Sequence, residues 1–164
     1  MRMKNQASDE NGMFPKVSGK NLLKEKIVIP TQLRGKLNIV IVAFQQWHQK
    51  LVDSWIPFLE NISHEYHNFE FYELPTIQNM NFLYRMIINN GMRFGIQSKE
   101  TRGRTITLYI DKPPFKCKLG ISNEKDIHIF LIDREGHIYW KSQGPFDDKK
   151  GKSLLSTYQL QMLA

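Results

Sequence analysis

The chain has 164 residues, 41% of them hydrophobic and 12% aromatic, with a formal net charge of +7. This length supports one domain with a buried core, and no apolar run approaches the roughly 20 residues that a membrane-spanning helix needs. The single cysteine, Cys117, excludes an internal disulfide and a cysteine-only metal site, while the positive charge fits either an acidic partner or an ordinary solvated surface.

Residues 1–18 are expected to form a disordered or loosely packed arm, because the stretch is polar and shows no periodicity. It also lacks the apolar segment of roughly 7–15 residues that marks a signal peptide, so an intracellular, cytoplasmic protein is expected. The folded domain is expected over residues 19–164. Residues 26–29 read as a short strand stopped by Pro30. Leu37, Ile39, Val40, Ile41, Val42, Ala43 and Phe44 then form an apolar run rich in β-branched residues, the pattern of a strand covered on both faces. The period next changes. Trp47, Leu51, Val52, Trp55, Phe58, Leu59 and Ile62 recur at three- and four-residue steps, which places them on one face of a helix kinked at Pro57. Trp47 and Trp55 are both expected in the core.

A second strand is expected over residues 69–74, closed by Pro75. Strand, helix and strand make a βαβ unit with parallel pairing. Asn79 or Asn81 is placed to cap a helix carrying Phe82, Leu83, Met86 and Ile87, with Gly91 to end it. Residues 92–104 read as a basic, glycine-containing loop. Residues 105–110 alternate as a third strand, with Ile106, Leu108 and Ile110 on one face. A short helix with Phe115 and Leu119 ends near Gly120. Residues 127–132 and 137–141 form a hairpin around Asp133-Arg134-Glu135-Gly136. Asp147 and Asp148 precede a last helix bearing Leu154, Leu155, Tyr158 and Met162.

Candidate chemistry is sparse. The junction Phe44-Gln45-Gln46-Trp47-His48-Gln49-Lys50 lies beyond the carboxyl end of the central strand, where open α/β sheets present functional groups. His48 there stands at a helix N-terminus, whose field disfavours an imidazolium. It is read either as a group available to a small polar ligand or as a cap facing water. Cys117 lies between Lys116 and Lys118, with Lys112 nearby, and cations raise a thiolate fraction; the alternative is a small packing residue. His64 and His67, or His128 and His137 as cross-strand neighbours, lack a completing ligand, so no metal site and no cofactor are expected. Trp140, beside Tyr139 in the return strand, is the candidate exposed aromatic contact. No phosphate loop, hydroxyl-nucleophile motif or RNA-recognition signature is present.

The junction resembles the active-site turn of thioredoxin-like and peroxiredoxin-like proteins, with His48 and Leu51 standing at the two cysteine positions. The loop Ser122-Asn123-Glu124-Lys125-Asp126 also lacks the proline that thioredoxins carry before the following strand. Taken together, Val42-Ala43-Phe44 to Trp55, Tyr109-Ile110-Asp111-Lys112, Phe115 to Gly120 and Phe130 to Trp140 resemble the non-redox, thioredoxin-like assembly factors of the F-type ATP synthase. The resemblance implies an α/β fold, a thioredoxin-like three-layer sandwich with a central mixed β-sheet flanked by helices on both faces. It implies a non-catalytic protein-binding or assembly module whose partner is a protein, such as a subunit of a membrane complex, with peripheral rather than spanning membrane association. The binding edge implied comprises Gln45, Gln46, Trp47 and His48, joined by Arg93, Arg102 and Arg104, with Trp140 as a further contact. Two alternatives stand beside it: a divergent peroxiredoxin-like thiol enzyme using Cys117, and a basic protein associated with nucleic acid, the less expected partner.

Overall fold

The computed structural model describes residues 12–78 and 99–164. Its organising element is the strand β3 (Leu37–Ala43), whose first six residues are all buried. β-Branched residues suit a pleated surface packed from both sides, and β3 alternates between two cores. Val40 and Val42 join Tyr72, Leu74, Ile106 and Leu108 on one face, closed by Phe14, Phe115 and Leu119. Ile39 and Ile41 join Phe69, Phe71, Ile129 and Leu131 on the other, closed by Trp55, Leu59, Leu154 and Tyr158.

Among the described residues the sheet has seven strands, in the order β2-β1-β5-β4-β3-β6-β7. They are β1 (Val17–Asn21), β2 (Lys26–Ile29), β4 (Phe69–Gln78), β5 (Ile106–Ile110), β6 (His128–Asp133) and β7 (Ile138–Gln143) about the central β3. β3 runs parallel to β4 and antiparallel to β6, so the sheet is mixed, as expected. The helices α1 (Gln49–Glu65) and α4 (Asp148–Met162) cover one face, and α3 (Lys112–Leu119) covers the other. A short helix α2 (Lys99–Arg104) precedes β5. This is the three-layer α/β sandwich.

Local chemistry sets the boundaries. α1 buries Val52, Trp55, Leu59 and Ile62, and runs through Pro57. α4 starts where the Asp147 carboxylate accepts the Lys150 backbone N–H at 2.7 Å. α3 ends on Gly120 at φ 68°, the left-handed conformation that glycine adopts without a steric penalty. Asn38 is fully buried inside β3, and its amide makes two hydrogen bonds with the Gly35 backbone, accepting at 2.8 Å and donating at 2.9 Å. Both partners of that buried polar group are thereby satisfied.

Several boundaries differ from expectation. Phe14, in the stretch expected to be a loose arm, is 3% exposed and packs edge-on against Phe115 and Phe130 at 5.9 Å. β1 also begins inside that stretch, at Val17. Its alternation was hidden by Gly19, whose missing side chain leaves room for the Thr107 carbonyl, 2.3 Å from where a Cβ would sit. β4 passes through Pro75 instead of stopping there. Pro75 is the last β4 residue paired with β3, opposite Ala43, and the ladder with β5 starts at Thr76 opposite Leu108, after a single bridge from Glu73 to Thr105. A missing N–H is tolerated at such a hand-over. Pro113 and Pro114 open α3, whose first-turn amides need no intrahelical acceptor. The helix expected to carry Phe82, Leu83, Met86 and Ile87, with Asn79, Asn81 and Gly91, lies outside the described residues.

Candidate functional site

β3 ends at Ala43, and the chain turns through a single 3-10 turn, Gln46–His48, into α1. His48 turns inward. It is fully buried, and its Nδ1 accepts the backbone N–H groups of Phe44 at 3.1 Å and Gln45 at 3.3 Å. An acceptor Nδ1 places the proton of the neutral ring on Nε2. Burial lowers the His48 pKa, against smaller upward pulls from the Lys125 backbone and from Asp126 and Glu124. The sequence pattern had set His48 at the surface. Its structural task is to hold the turn, because two amides freed at the strand end need an acceptor.

Trp47 is displaced by the same turn. It is 58% exposed, not in the core beside Trp55. The helical period begins only at Gln49, so the face shared by Trp55, Leu59 and Ile62 does not extend back to it. Its ring stacks edge-on against His48 at 4.3 Å between centroids.

Beside this junction lies a groove of about 810 Å³. Ala43, Phe44, Gln45 and Gln46 form one end. From α1 come Gln49, Asp53, Ile56, Pro57 and Glu60; from β4 come Phe71, Glu73, Pro75 and Ile77; Thr101 and Arg104 come from α2. Pockets of this size and largely apolar lining, with a few convergent polar groups, are the usual form of a binding site.

Glu73 is the polar group that the sequence reading missed. It is 6% exposed, within a segment that the sequence reading assigned only as a strand. Burial drives its pKa from 4.5 up to about 7. The Asp53 carboxylate adds to the rise, and Gln49 and Arg104 oppose it. The Gln49 amide donates to Asp53 at 2.9 Å. Arg104 lies with its guanidinium carbon 4.2 Å above the Phe71 ring, a cation–π contact. A signal was present in the sequence: Phe69-Glu70-Phe71-Tyr72-Glu73-Leu74 alternates toward two buried faces, so one glutamate had to be buried if both faces were covered.

Of the predicted binding residues, the structure brings Gln45, Gln46 and Arg104 to the groove, while Trp47 shares the turn that carries Gln46 but does not line it. Arg102 lies within α2. Arg93 lies outside the described residues. Trp140 does not line the groove. Far from being a free contact, it packs against Trp55 at 6.2 Å, and its Nε1 donates to Ser153 Oγ at 3.0 Å. α4 covers that side of the return strand, a packing that strand alternation alone does not reveal.

Cys117 is exposed on α3, contrary to a packing role. Two of the three cations expected to activate it are engaged elsewhere: Lys112 and Lys116 both bind Glu124, at 2.8 Å and 2.9 Å. His128 and His137 are not cross-strand neighbours, since His128 pairs with Gln143. His137 instead stands in the β6–β7 turn, where Asp133, Glu135 and His137 lie within 4.8 Å of one another. Asp133 is already used there by the N–H groups of Glu135 and His137 and by the Tyr139 hydroxyl.

The description of the ATP10 protein family matches residues 5–160. The chain belongs to the ATP10 protein family. No curated protein matches this ATP10 family member. Its fold is thioredoxin-like. The exposed lipoprotein thioredoxin of Streptococcus pneumoniae strain TIGR4 superposes with a TM-score of 0.55 at 14% identity, covering 88% of this chain and 99% of that one. The thioredoxin domain of a thiol-disulfide oxidoreductase from Bacteroides vulgatus gives 0.56 at 13% identity, covering 90% and 96%. BsSco, a member of the Sco family of cytochrome c oxidase assembly proteins, gives 0.58 at 10% identity, covering 92% and 95%. Disulfide exchange within one chain needs two thiols, and this ATP10 family member carries one.

Proposed function

We propose that this chain is a protein-binding assembly module that holds its client in the groove beside the β3–α1 junction. One observation carries the reading. Where an open α/β sheet presents its functional groups, the chain has a largely apolar groove, walled by Ile56, Pro57, Phe71, Pro75 and Ile77, with a few polar groups converging on it. Membership of the ATP10 family supports an assembly role, and the client proposed is a subunit of an ATP-synthase-type membrane complex. No described helix is long and apolar enough to cross a membrane; the contact proposed is with a part of the subunit that emerges from the membrane. The family is associated with mitochondria, and in this proposal that compartment replaces the cytoplasm expected from the sequence.

Fold likeness does not by itself assign a client, so the test is made at the groove. Gln46 is exposed and lines one end. Gln46→Arg adds bulk and charge there without touching the core. The variant is expected to lose at least about tenfold in co-purification of ATP-synthase subunits from detergent extracts, the effect of roughly 1.4 kcal/mol. Undiminished recovery of those subunits would overturn the groove as the client site.

A further inference from the structure

The net charge of the whole chain is +7, yet the described lining of the groove has the opposite character. Its described lining places three carboxyl groups, Asp53, Glu60 and Glu73, against one guanidinium, Arg104. That guanidinium is held over the Phe71 ring, and among the described residues no ion pair within 4 Å reaches Glu73. A carboxylate in an apolar wall without a paired cation is an unfavourable arrangement, relieved when a cation arrives. The walls beside it are apolar: Ile56 and Pro57 on α1, and Phe71, Pro75 and Ile77 on β4. Such walls suit the methylene stem of a long basic side chain, which buries its carbons and delivers a charged head.

We infer that Glu73 is the specificity residue of the groove, and that it accepts the ammonium or guanidinium head of a lysine or arginine borne by an otherwise apolar client segment. This rests on the groove being the client site and adds to that reading the chemistry of what is bound. The groups facing Glu73 are Gln49 and Asp53 from α1 and Arg104 from α2, with Glu60 further along α1. Asp53 strengthens the pull on a cation, and Arg104 opposes it. Neutral segments of the same shape are discriminated against, because they leave the buried carboxylate unpaired. Binding tightens as pH rises through about 7, where the Glu73 carboxyl ionises.

The probe is n-hexylammonium, with 1-hexanol as the neutral molecule of the same stem, titrated into the full chain and followed by amide NMR shifts. At pH 8, hexylammonium is expected to shift the amides of Glu73 and Gln49 and to bind at least tenfold more tightly than at pH 5.5. Glu73→Gln is expected to abolish that preference and to bind hexylammonium and hexanol alike. Equal affinity of wild type and Glu73→Gln for hexylammonium at pH 8 would overturn the inference, as would shifts confined to surfaces away from the groove. If hexanol occupies the groove while the ammonium gains nothing, the cation assignment fails and the groove remains a client site. If Gln46→Arg keeps its ATP-synthase subunits while hexylammonium binds at Glu73, the client reading fails instead.

Discussion

Trp55→Ala is expected to lower stability by about 4 kcal/mol, within the range for emptying a buried aromatic site. Trp55 is fully buried under the α1 face of the sheet. Its ring meets Phe146 edge-on at 5.2 Å and Trp140 at 6.2 Å, so it ties α1 to β7 and to the segment that leads into α4. Its Nε1 also donates to the Gly144 carbonyl at 3.0 Å. Alanine would remove the ring contacts and leave that carbonyl without its partner. Trp55→Phe keeps most of the volume and should lose about 1–2 kcal/mol, the part due to the unpaired buried acceptor. Urea denaturation of the three proteins checks both values. A loss below about 1 kcal/mol for the alanine variant would contradict the packing described.

Glu73→Gln is expected to stabilise the protein, but only at neutral and alkaline pH. The folded carboxyl titrates at about 7 instead of 4.5, so the native state binds a proton more readily than the unfolded chain. Stability from this group is therefore full below pH 4.5 and is lost as pH rises through 7. The difference corresponds to about 3 kcal/mol once the carboxyl is ionised in both states. Glutamine fills the same space and carries no charge. The stability difference between variant and wild type should be near zero at pH 4.5, grow through pH 5 to 7, and be flat above pH 8. Chemical denaturation across that range reads it directly. A difference that does not change with pH would mean that Glu73 is not held in the apolar wall as described. A stable acid-to-amide variant also makes the cation-binding comparison clean, since it does not depend on a weakened fold.

The architecture was written plainly in the chain because its signals are local and repeated. The apolar run at Leu37 to Phe44 gave a central strand, and the three- and four-residue steps from Val52 to Ile62 gave the helix that covers it. The hairpin turn announced itself through Gly136, which sits at φ 99°. What was hidden depended on partners distant in sequence. β1 is short and polar, and its place is fixed by pairing with β2 and β5. Phe14 looked like a stray aromatic until Phe115 and Phe130 closed over it. Pro75 stops a strand that pairs along its whole length, and here β4 changes neighbours at that residue.

The lining of the candidate groove was legible in the sequence only in part. Gln45, Gln46 and Arg104 were selected from a junction and from a basic stretch, and they do meet in one groove. His48 and Trp47 exchange the places that a helical period assigns them, because the first turn is 3-10 and the imidazole is needed by the Phe44 and Gln45 amides. Trp140 was read from strand alternation, which is blind to α4 packing above it. The strand pattern signalled one buried glutamate, but not the surroundings of Glu73, which are set by Asp53, Gln49 and Arg104, residues on two other elements.

The most direct measurement is site-specific photocrosslinking in the native cell. A benzophenone amino acid is placed at Gln46, at the end of the groove, and separately at Lys118, exposed on α3 across the sheet. A groove that holds the client predicts an adduct with an ATP-synthase subunit from position 46 and none from position 118. Equal adducts from both positions, or an adduct from 118 alone, would contradict it.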